Sequence, residues 1–480
     1  MNKRKIFFSM NILVIVLALF FGSCQKYDNN EGKDQGGTDG GDTEENIHTY
    51  KAPLYWSVYE YCWKLEKQGV SNENMDISEQ EWDKIIDWVA RDLKPYGYDM
   101  ICTDGFIPMI ADDASGYMTR YGSMDLKKLV AKCKAKGLKL GIYDNPLWLH
   151  GPDNTVIQGT DITFGELKYK AGTDKVANPD KNDLWFSWVV ATRKGAKEYI
   201  DGFFKHFSEM GVNYIRMDFL SWYENGSDRG LGVVGRGYGR DVYKQALQYI
   251  CESAQKYGVF TSLVMPHLFE SAALEKEYGN MVRIVADTGD GGWGQFSDND
   301  RGKIYGSWPN SMNMFDGFIH WSKISGRKKV ILDGDFIRLN TFVTDEEKQS
   351  VISLQLMAGG PVTVADQYST IGDNLKFYQN EEMLALNTDK FVGKPLSSSI
   401  IDAKNQIWYG QMANGDWIVG LFNRDSSAQS RSVKFADLGI KGKMKVRDLW
   451  RHADEGETDQ LNVKLSAHAC KIVRLTKAAN

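Results

Sequence analysis

Between residues 50 and 392 the hydrophobic pattern alternates between two periods. Short runs of adjacent apolar, β-branched and aromatic residues give way to longer runs whose apolar positions recur every three or four residues. KAPLYWSVYEY reads as a first strand. Ser78 is a preferred cap, and ISEQEWDKIIDWVARDLKPYG behind it predicts a helix that stops at Pro95-Tyr96-Gly97. YDMICTDGF predicts a second strand ending at Asp104, and MDLKKLVAKCKAKG a helix closed by Gly137. LKLGIYDN predicts a third strand ending at Tyr143 and Asp144. GAKEYIDGFFKHFSEMG reads as a helix and YIRMD as a fourth strand ending at Asp218. VYKQALQYICESAQKYG is helical, VFTSLVMP a fifth strand, MVRIVAD a sixth and KKVILDGD a seventh. EEKQSVISLQLMAGG is a helix, and PVTVAD an eighth strand.

Eight strands alternating with helices predict an α/β fold, a (β/α)8 TIM barrel over residues 47–392. A doubly wound open sheet is the alternative. The glycines of GVVGRGYG (232–239) follow no strand, so they do not make the phosphate loop such a sheet would use. Past residue 392 the pattern changes. QIWYGQMANGDWIVGLFNRD predicts two strands joined by Ala413-Asn414-Gly415-Asp416, an Asn-Gly hairpin. SRSVKFADLG, KMKVRDLW and CKIVRLT follow at short spacing, which predicts a C-terminal antiparallel β-sandwich over 393–480.

In a parallel barrel, chemistry sits at the C-terminal strand ends. Those positions are Trp56, Asp104, Tyr143 with Asp144, Asp218, Met265-Pro266-His267, Asp287, Asp333 with Asp335, and Asp366. About half of the carboxylates are expected to be helix caps. Asp218 is the candidate nucleophile, with Trp222, Tyr223 and Glu224 just after it as sugar-facing neighbours. The 145–194 stretch is long for a barrel loop and carries Trp148, Trp185 and Trp188. It is expected to be an ordered cover over the site, the alternative being a small satellite core.

Composition narrows the partners. A net charge of -5, from 58 Lys+Arg and 63 Asp+Glu, offers no basic face for nucleic acid. Aromatics at 12%, with 14 Trp and 23 Tyr, suit stacking on sugar rings. At the N-terminus Lys3, Arg4 and Lys5 precede the apolar run Ile12 to Phe21 and the sequence FFGSC. This predicts a lipoprotein signal over 1–23 with lipidation of Cys24, the alternative being a plain signal peptide. Residues 24–46 are acidic and Gly-rich, and read as a flexible tether. The expected location is therefore outside the cytoplasm, lipid-anchored at Cys24, in the periplasm or on the outer-membrane surface of a Gram-negative bacterium. Cys62, Cys102, Cys133, Cys251 and Cys470 show no CxxC, and most are expected as buried thiols. The seven His lack metal-ligand spacing. No metal and no cofactor is expected, and Asp298-Asn299-Asp300 reads as an acidic turn rather than a Ca2+ site.

Two carboxylates are the minimal apparatus for glycoside hydrolysis. A gap of roughly 5 to 5.5 Å goes with retention and a wider one with inversion. Asp218 and Asp287 end two strands of one rim, and Trp293 and Asp290 lie close enough in sequence to raise the pKa of Asp287. The series YIRMD, VRIVADTGDGGW and QNEEMLALNTD resembles glycoside hydrolase clan D, and family 27 in particular, the retaining α-galactosidases and α-N-acetylgalactosaminidases. KGLKLGIYDN, APLYWSVYEYC and IVGLFNRDSSAQSRSVKFADLGI…VRDLW are similar to that family's third strand, first strand and closing sandwich. The resemblance implies Asp218 as nucleophile and Asp287, four residues after Arg283, as acid/base. It further implies Asp104, Tyr143, Arg216 and Arg283 on sugar hydroxyls and Trp56 as a platform.

The chain departs from the family pattern in three places. Arg216 stands where the family has Lys, and Thr103-Asp104 replaces a pair of Asp. The fifth-strand loop VMPHLFE has no clear counterpart. The resemblance thus implies a carbohydrate-cleaving exo-glycosidase of the α-galactosidase type. A β-L-arabinopyranosidase, an α-N-acetylgalactosaminidase or an α-glucan-cleaving relative are alternatives, as is a transglycosylase using the same residues. A non-catalytic glycan-binding lipoprotein is the rival from another class.

Overall fold

The computed structural model describes residues 50–477, apart from 113, 229 and 298–312. Cys24, the 1–23 signal, the 24–46 tether and Asp298-Asn299-Asp300 lie outside the described residues. Eight parallel strands form the core: Leu54–Ser57 (β1), Met100–Cys102 (β2), Lys139–Tyr143 (β3), Tyr214–Met217 (β4), Phe260–Leu263 (β5), Met281–Arg283 (β6), Ile331–Asp333 (β7) and Val362–Val364 (β8). From β1 to β7 each strand pairs with the next, and β1 also pairs with β8.

The circuit closes through a break. β7 pairs with β6, whereas its continuation Phe336–Ile337 pairs with β8. Between them lie Gly334 and Asp335, the latter at φ 68. A Cβ on Gly334 would meet the Phe318 ring at 2.6 Å, so the chain turns on a residue without one.

Strand alternation sorts the side chains. Tyr55, Met100, Cys102, Tyr214, Phe260 and Met281 pack together inside the barrel. Trp56 and Ile215 point outward into the strand–helix layer, which is the main core. The predicted helices form where capping chemistry allows. Ser78 Oγ accepts from Glu81 N, and the helix Glu79–Trp88 runs on through a wider turn and a tighter one to Gly97, at φ 95. Ala196–Met210 ends at Gly211, at φ 99. Asp345–Met357 opens with a Thr344–Glu347 capping box.

Two features were not predicted. A three-stranded excursion, Met109–Ala111, Met118–Tyr121 and Met124–Asp125, follows β2; its strands are too short to show an alternation. The helix Phe269–Tyr278 after β5 begins in left-handed backbone, with Leu268, Glu270, Ser271 and Ala272 at φ 55 to 57, and FESAALEKEY carries no start signal.

The closing domain is two-layered. A six-stranded antiparallel sheet runs in the order Lys394–Pro395, Ile407–Gln411, Trp417–Phe422, Cys470–Lys477, Met444–Asp448, Ala453–Thr458. Gln429–Lys434 and Gln460–Leu465 form the second layer, and Val419, Leu421, Val433, Phe435, Leu461 and Val473 fill the space between. Buried Arg424 joins it to the barrel, donating to Ser297 Oγ at 2.6 Å and to Asp316 at 2.7 Å. All five described cysteines are free thiols. Among the described residues no group of His, Cys, Asp or Glu could hold a metal ion, and no helix is long and apolar enough to cross a membrane.

Candidate active site

The rim at the C-terminal strand ends carries the carboxylates expected there. Asp218 follows β4, where its Oδ1 accepts from Phe219 N at 2.7 Å and its Oδ2 from the Tyr143 hydroxyl at 2.9 Å. Phe219 adopts φ 62, so the chain turns sharply after the carboxylate. Asn145, at the end of β3, fixes the same turn by donating to the Asp218 carbonyl at 2.9 Å. Gly105 sits under the Tyr143 ring, and a Cβ there would meet the ring at 2.8 Å.

Asp287 lies four residues beyond the end of β6, not at the strand end itself, and its side chain is 46% exposed. Arg283 pairs with Asp287 and lies near Asp335, and its charge also acts on Asp218. Its Nη2 is 2.6 Å from Asp287 Oδ1 and its Nη1 3.6 Å from Asp335 Oδ1. Burial pushes the Asp218 carboxyl upward, Asp287 adds to that, and Arg283 and Arg216 pull against it. Asp218 and Asp287 thus share one electrostatic environment.

Asp104 differs from its neighbours. Its Oδ1 accepts from Gly105 N at 2.8 Å, but Oδ2 is buried with no partner among the described residues. Burial, offset in part by Arg216, pushes its carboxyl up to about 7. A buried, unpaired carboxyl oxygen at a rim is suited to a ligand hydroxyl. Thr103 beside it is fully buried, and its Oγ1 accepts from Tyr143 N at 2.9 Å. It braces the backbone, so this strand presents one carboxylate where a pair would bind two hydroxyls.

Arg216, expected on sugar hydroxyls, is instead buried beneath the rim. Its Nη1 donates to Asp333 at 3.2 Å and its Nη2 to Asp335 at 2.9 Å, with its guanidinium 4.8 Å from the Phe336 ring centre. The planar fork spans the strand break as a point charge could not. Asp335 also accepts from Thr288 N at 2.9 Å, which ties the loop behind Asp287 to the break.

Trp56 is not a sugar platform. It is 1% exposed, donates from Nε1 to the Asp366 carbonyl at 2.8 Å and meets Trp88 edge-on, because alternation turns it toward the helices. Trp222, Tyr223 and Glu224 are likewise buried. Tyr223 donates to Val189 O and Glu224 pairs with Arg240, so these residues secure the site from behind. Trp293 stacks on His468 of the closing domain at 4.0 Å, so its ring is engaged across the domain junction. Asp366 accepts from Leu339 N, Asn340 N and the Tyr378 hydroxyl, a structural role.

The aromatic group that does reach the rim is Tyr59, which sequence reasoning missed. Its ring packs on Phe106 and Phe336, and the charges of Asp287, Asp335, Asp104 and Asp290, with burial, push its hydroxyl upward. A Cβ on Gly289 would fall 1.6 Å from that hydroxyl, so a glycine there lets the Asp287 loop close on Tyr59. Fully buried Glu60 clamps the same corner by accepting from Arg338, Asn340, Thr370 and Gln367 N. The signal was the strand period: with Tyr55 inward and Trp56 outward, the next aromatic beyond the strand is Tyr59.

The 145–194 loop is ordered, and its cover is itself a small core. Trp148 stacks on Phe186 at 4.4 Å and 3°, contacts Tyr143 at 6.0 Å and bridges to Trp188. Half-buried Trp185, at φ 63, packs on Trp222.

The similarities to known proteins agree with this geometry. Residues 402–475 match the alpha galactosidase C-terminal beta sandwich domain. The chain is 38% identical over 442 residues to an isomalto-dextranase of Arthrobacter globiformis, covering 88% of this chain and 67% of that one. The solved structure of the A. globiformis T6 enzyme with panose superposes with a TM-score of 0.81 at 37% identity, over 90% of this chain and 74% of that one. An α-galactosidase of Oryza sativa subsp. japonica is 24% identical, over 73% of this chain and 68% of its own. A family 27 β-L-arabinopyranosidase of Geobacillus stearothermophilus shares the fold, with a TM-score of 0.68 at 20% identity over 91% and 100% of the two chains. Taken with a barrel whose rim sets Asp218 and Asp287 around one guanidinium, these similarities leave one assignment: the chain belongs to glycoside hydrolase family 27.

Proposed function

We propose that this glycoside hydrolase is a retaining exo-enzyme whose sugar is α-linked glucose in a dextran-type glucan. The observation that carries the reading is the second-strand end, where buried Thr103 leaves Asp104 as the one carboxylate offered to hydroxyls. A galactose clamp of paired Asp is thereby incomplete. The 38% identity to an isomalto-dextranase, against 24% to a plant α-galactosidase, supports the same choice. An α-galactosidase is the second reading, favoured by the match of the closing domain.

In the mechanism, Asp218 attacks the anomeric carbon while Tyr143 and Phe219 N hold its two oxygens in line. Asp287, on the open side of Arg283, protonates the leaving oxygen and then takes a proton from the incoming water. Asp104 and Tyr59 position the sugar. We further propose that the chain is exported and anchored through lipid on Cys24; Cys24→Ala would then move it from the membrane fraction to the soluble one.

The test is hydrolysis of dextran and of nitrophenyl α-glucoside, α-galactoside, α-N-acetylgalactosaminide and β-L-arabinopyranoside, by wild type and Asp218→Asn. Dextran turnover that vanishes in the variant supports the proposal. A preference for the α-galactoside would overturn the sugar, and activity surviving in Asp218→Asn would overturn the mechanism.

A further inference from the structure

At the end of the barrel opposite the catalytic rim lies a cavity of about 190 Å3. It is bounded by the segments entering β1, β7 and β8, and five cations line it: Lys51, Arg327, Lys328, Lys329 and Lys390. Among its described lining residues none is acidic. Asp389, just outside, pairs with Arg327 and accepts from Ala413 N. Burial, with the charge of Lys329 adding to it, draws Lys394 behind the cavity down to about 8.

The wall also carries a buried acceptor. Asn387 is 6% exposed and donates from Nδ2 to the Ala52 carbonyl at 2.8 Å, while its Oδ1 is buried with no partner among the described residues. Two of the lysines, Lys328 at φ 58 and Lys390 at φ 54, occupy left-handed positions that glycine or asparagine would fill with less strain. Charge is therefore placed here against local backbone preference.

We infer that this cavity binds the phosphate of a polyol phosphate ester, Lys51, Lys328 and Lys329 taking the phosphate oxygens and Asn387 Oδ1 an adjacent hydroxyl. Lysine ammonium groups bind phosphate as point charges, and a cluster of them with no carboxylate among the described wall residues favours an anion. The hydroxyl acceptor separates a polyol ester from bare phosphate. Two sources share this chemistry, a glycerophospholipid headgroup and a free sugar phosphate. The headgroup suits the fold, because the chain enters the described structure at Tyr50 and Lys51, on this same face.

The test uses the full chain with Cys24→Ser, so that no attached lipid contributes. Binding is measured to glycerol 3-phosphate and to vesicles of phosphatidylcholine alone or with phosphatidylglycerol. A second protein adds Lys328→Glu and Lys329→Glu, both exposed and remote from the rim, and hydrolysis by the two proteins is compared. The expected result is saturable binding of glycerol 3-phosphate and of the anionic vesicles, weakened at least about tenfold by the double substitution with hydrolysis unchanged. Binding of glycerol 3-phosphate without the vesicles would assign a free sugar phosphate as the source. No binding of glycerol 3-phosphate, or binding that survives the double substitution, would overturn the inference.

Discussion

Replacing Asp104 by asparagine isolates a strongly perturbed carboxyl of the rim. The side chain keeps its shape, Oδ1 can still accept from Gly105 N, and only the titrating proton is lost. In the fold the wild-type carboxyl is pushed up to about 7, against an ordinary 3.8. A raised native-state value means the fold holds that proton more tightly than the unfolded chain does. Stability therefore falls as the pH climbs from about 4 to about 7 and levels off above that. The full difference corresponds to about 4 kcal/mol at high pH. Integrated to pH 5, the loss is on the order of 1.5 kcal/mol, and to pH 8 about 4 kcal/mol. Asp104→Asn escapes this loss. Its stability relative to wild type, from urea unfolding, is expected to improve by about 2.5 kcal/mol between pH 5 and pH 8. A relative stability that stays flat across that range would show Asp104 ionised throughout, and would refute the case that its free oxygen is held for a ligand. Activity provides the counterpart: the variant is expected to be more stable and a poorer binder of substrate, seen as a raised KM.

Four further outcomes follow from the contacts. Tyr143→Phe removes one donor to the carboxylate of Asp218 and should lower kcat/KM by about tenfold or more, from a hydrogen bond of about 1.5–3 kcal/mol to a charged group; an unchanged kcat/KM would remove Tyr143 from the mechanism. Arg216→Met leaves Asp333 and Asp335 without their fork and should cost about 3–5 kcal/mol in denaturant unfolding, while a neutral result would show that the break is held by other contacts. Gly289→Ala places a methyl against the Tyr59 hydroxyl, and should lower activity more than stability; the combination with Tyr59→Phe should recover part of the loss. Asp287→Ala should spare substrates with good leaving groups, and added azide should give a glycosyl azide of retained configuration; the inverted product would refute the double displacement.

The barrel was legible because its strands are buried on both faces and its helices are amphipathic, two patterns that differ in period over every segment from β1 to β8. The closing sandwich was legible from its Asn-Gly hairpin, with Gly415 at φ 91. The carboxylate series was visible too, since Asp104, Asp218 and Asp335 stand at or just beyond strand ends. What escaped was direction. A strand end says that a residue lies at the rim but not which way it points, so Trp56 was expected at the rim although its side chain turns toward the helices. Partners separated by long stretches escaped as well. The pairing of Arg216 with Asp333 spans 117 residues and leaves no trace in local pattern.

That separation bears on how the protein folds. β4 leaves the ribosome with Arg216 destined for the barrel interior, while its counter-charges are still more than a hundred residues from synthesis. Until β7 arrives and bends at Gly334-Asp335, any compact nascent form that buried this guanidinium would hold an uncompensated charge, which is costly. The half-barrel is thus discouraged from early collapse, and the last large event of folding brings together the closure of the sheet and the charge network beneath Asp218. A chain truncated before Asp333 would lack more than its final strands: it would carry Asp218 on a half that has a reason to stay open.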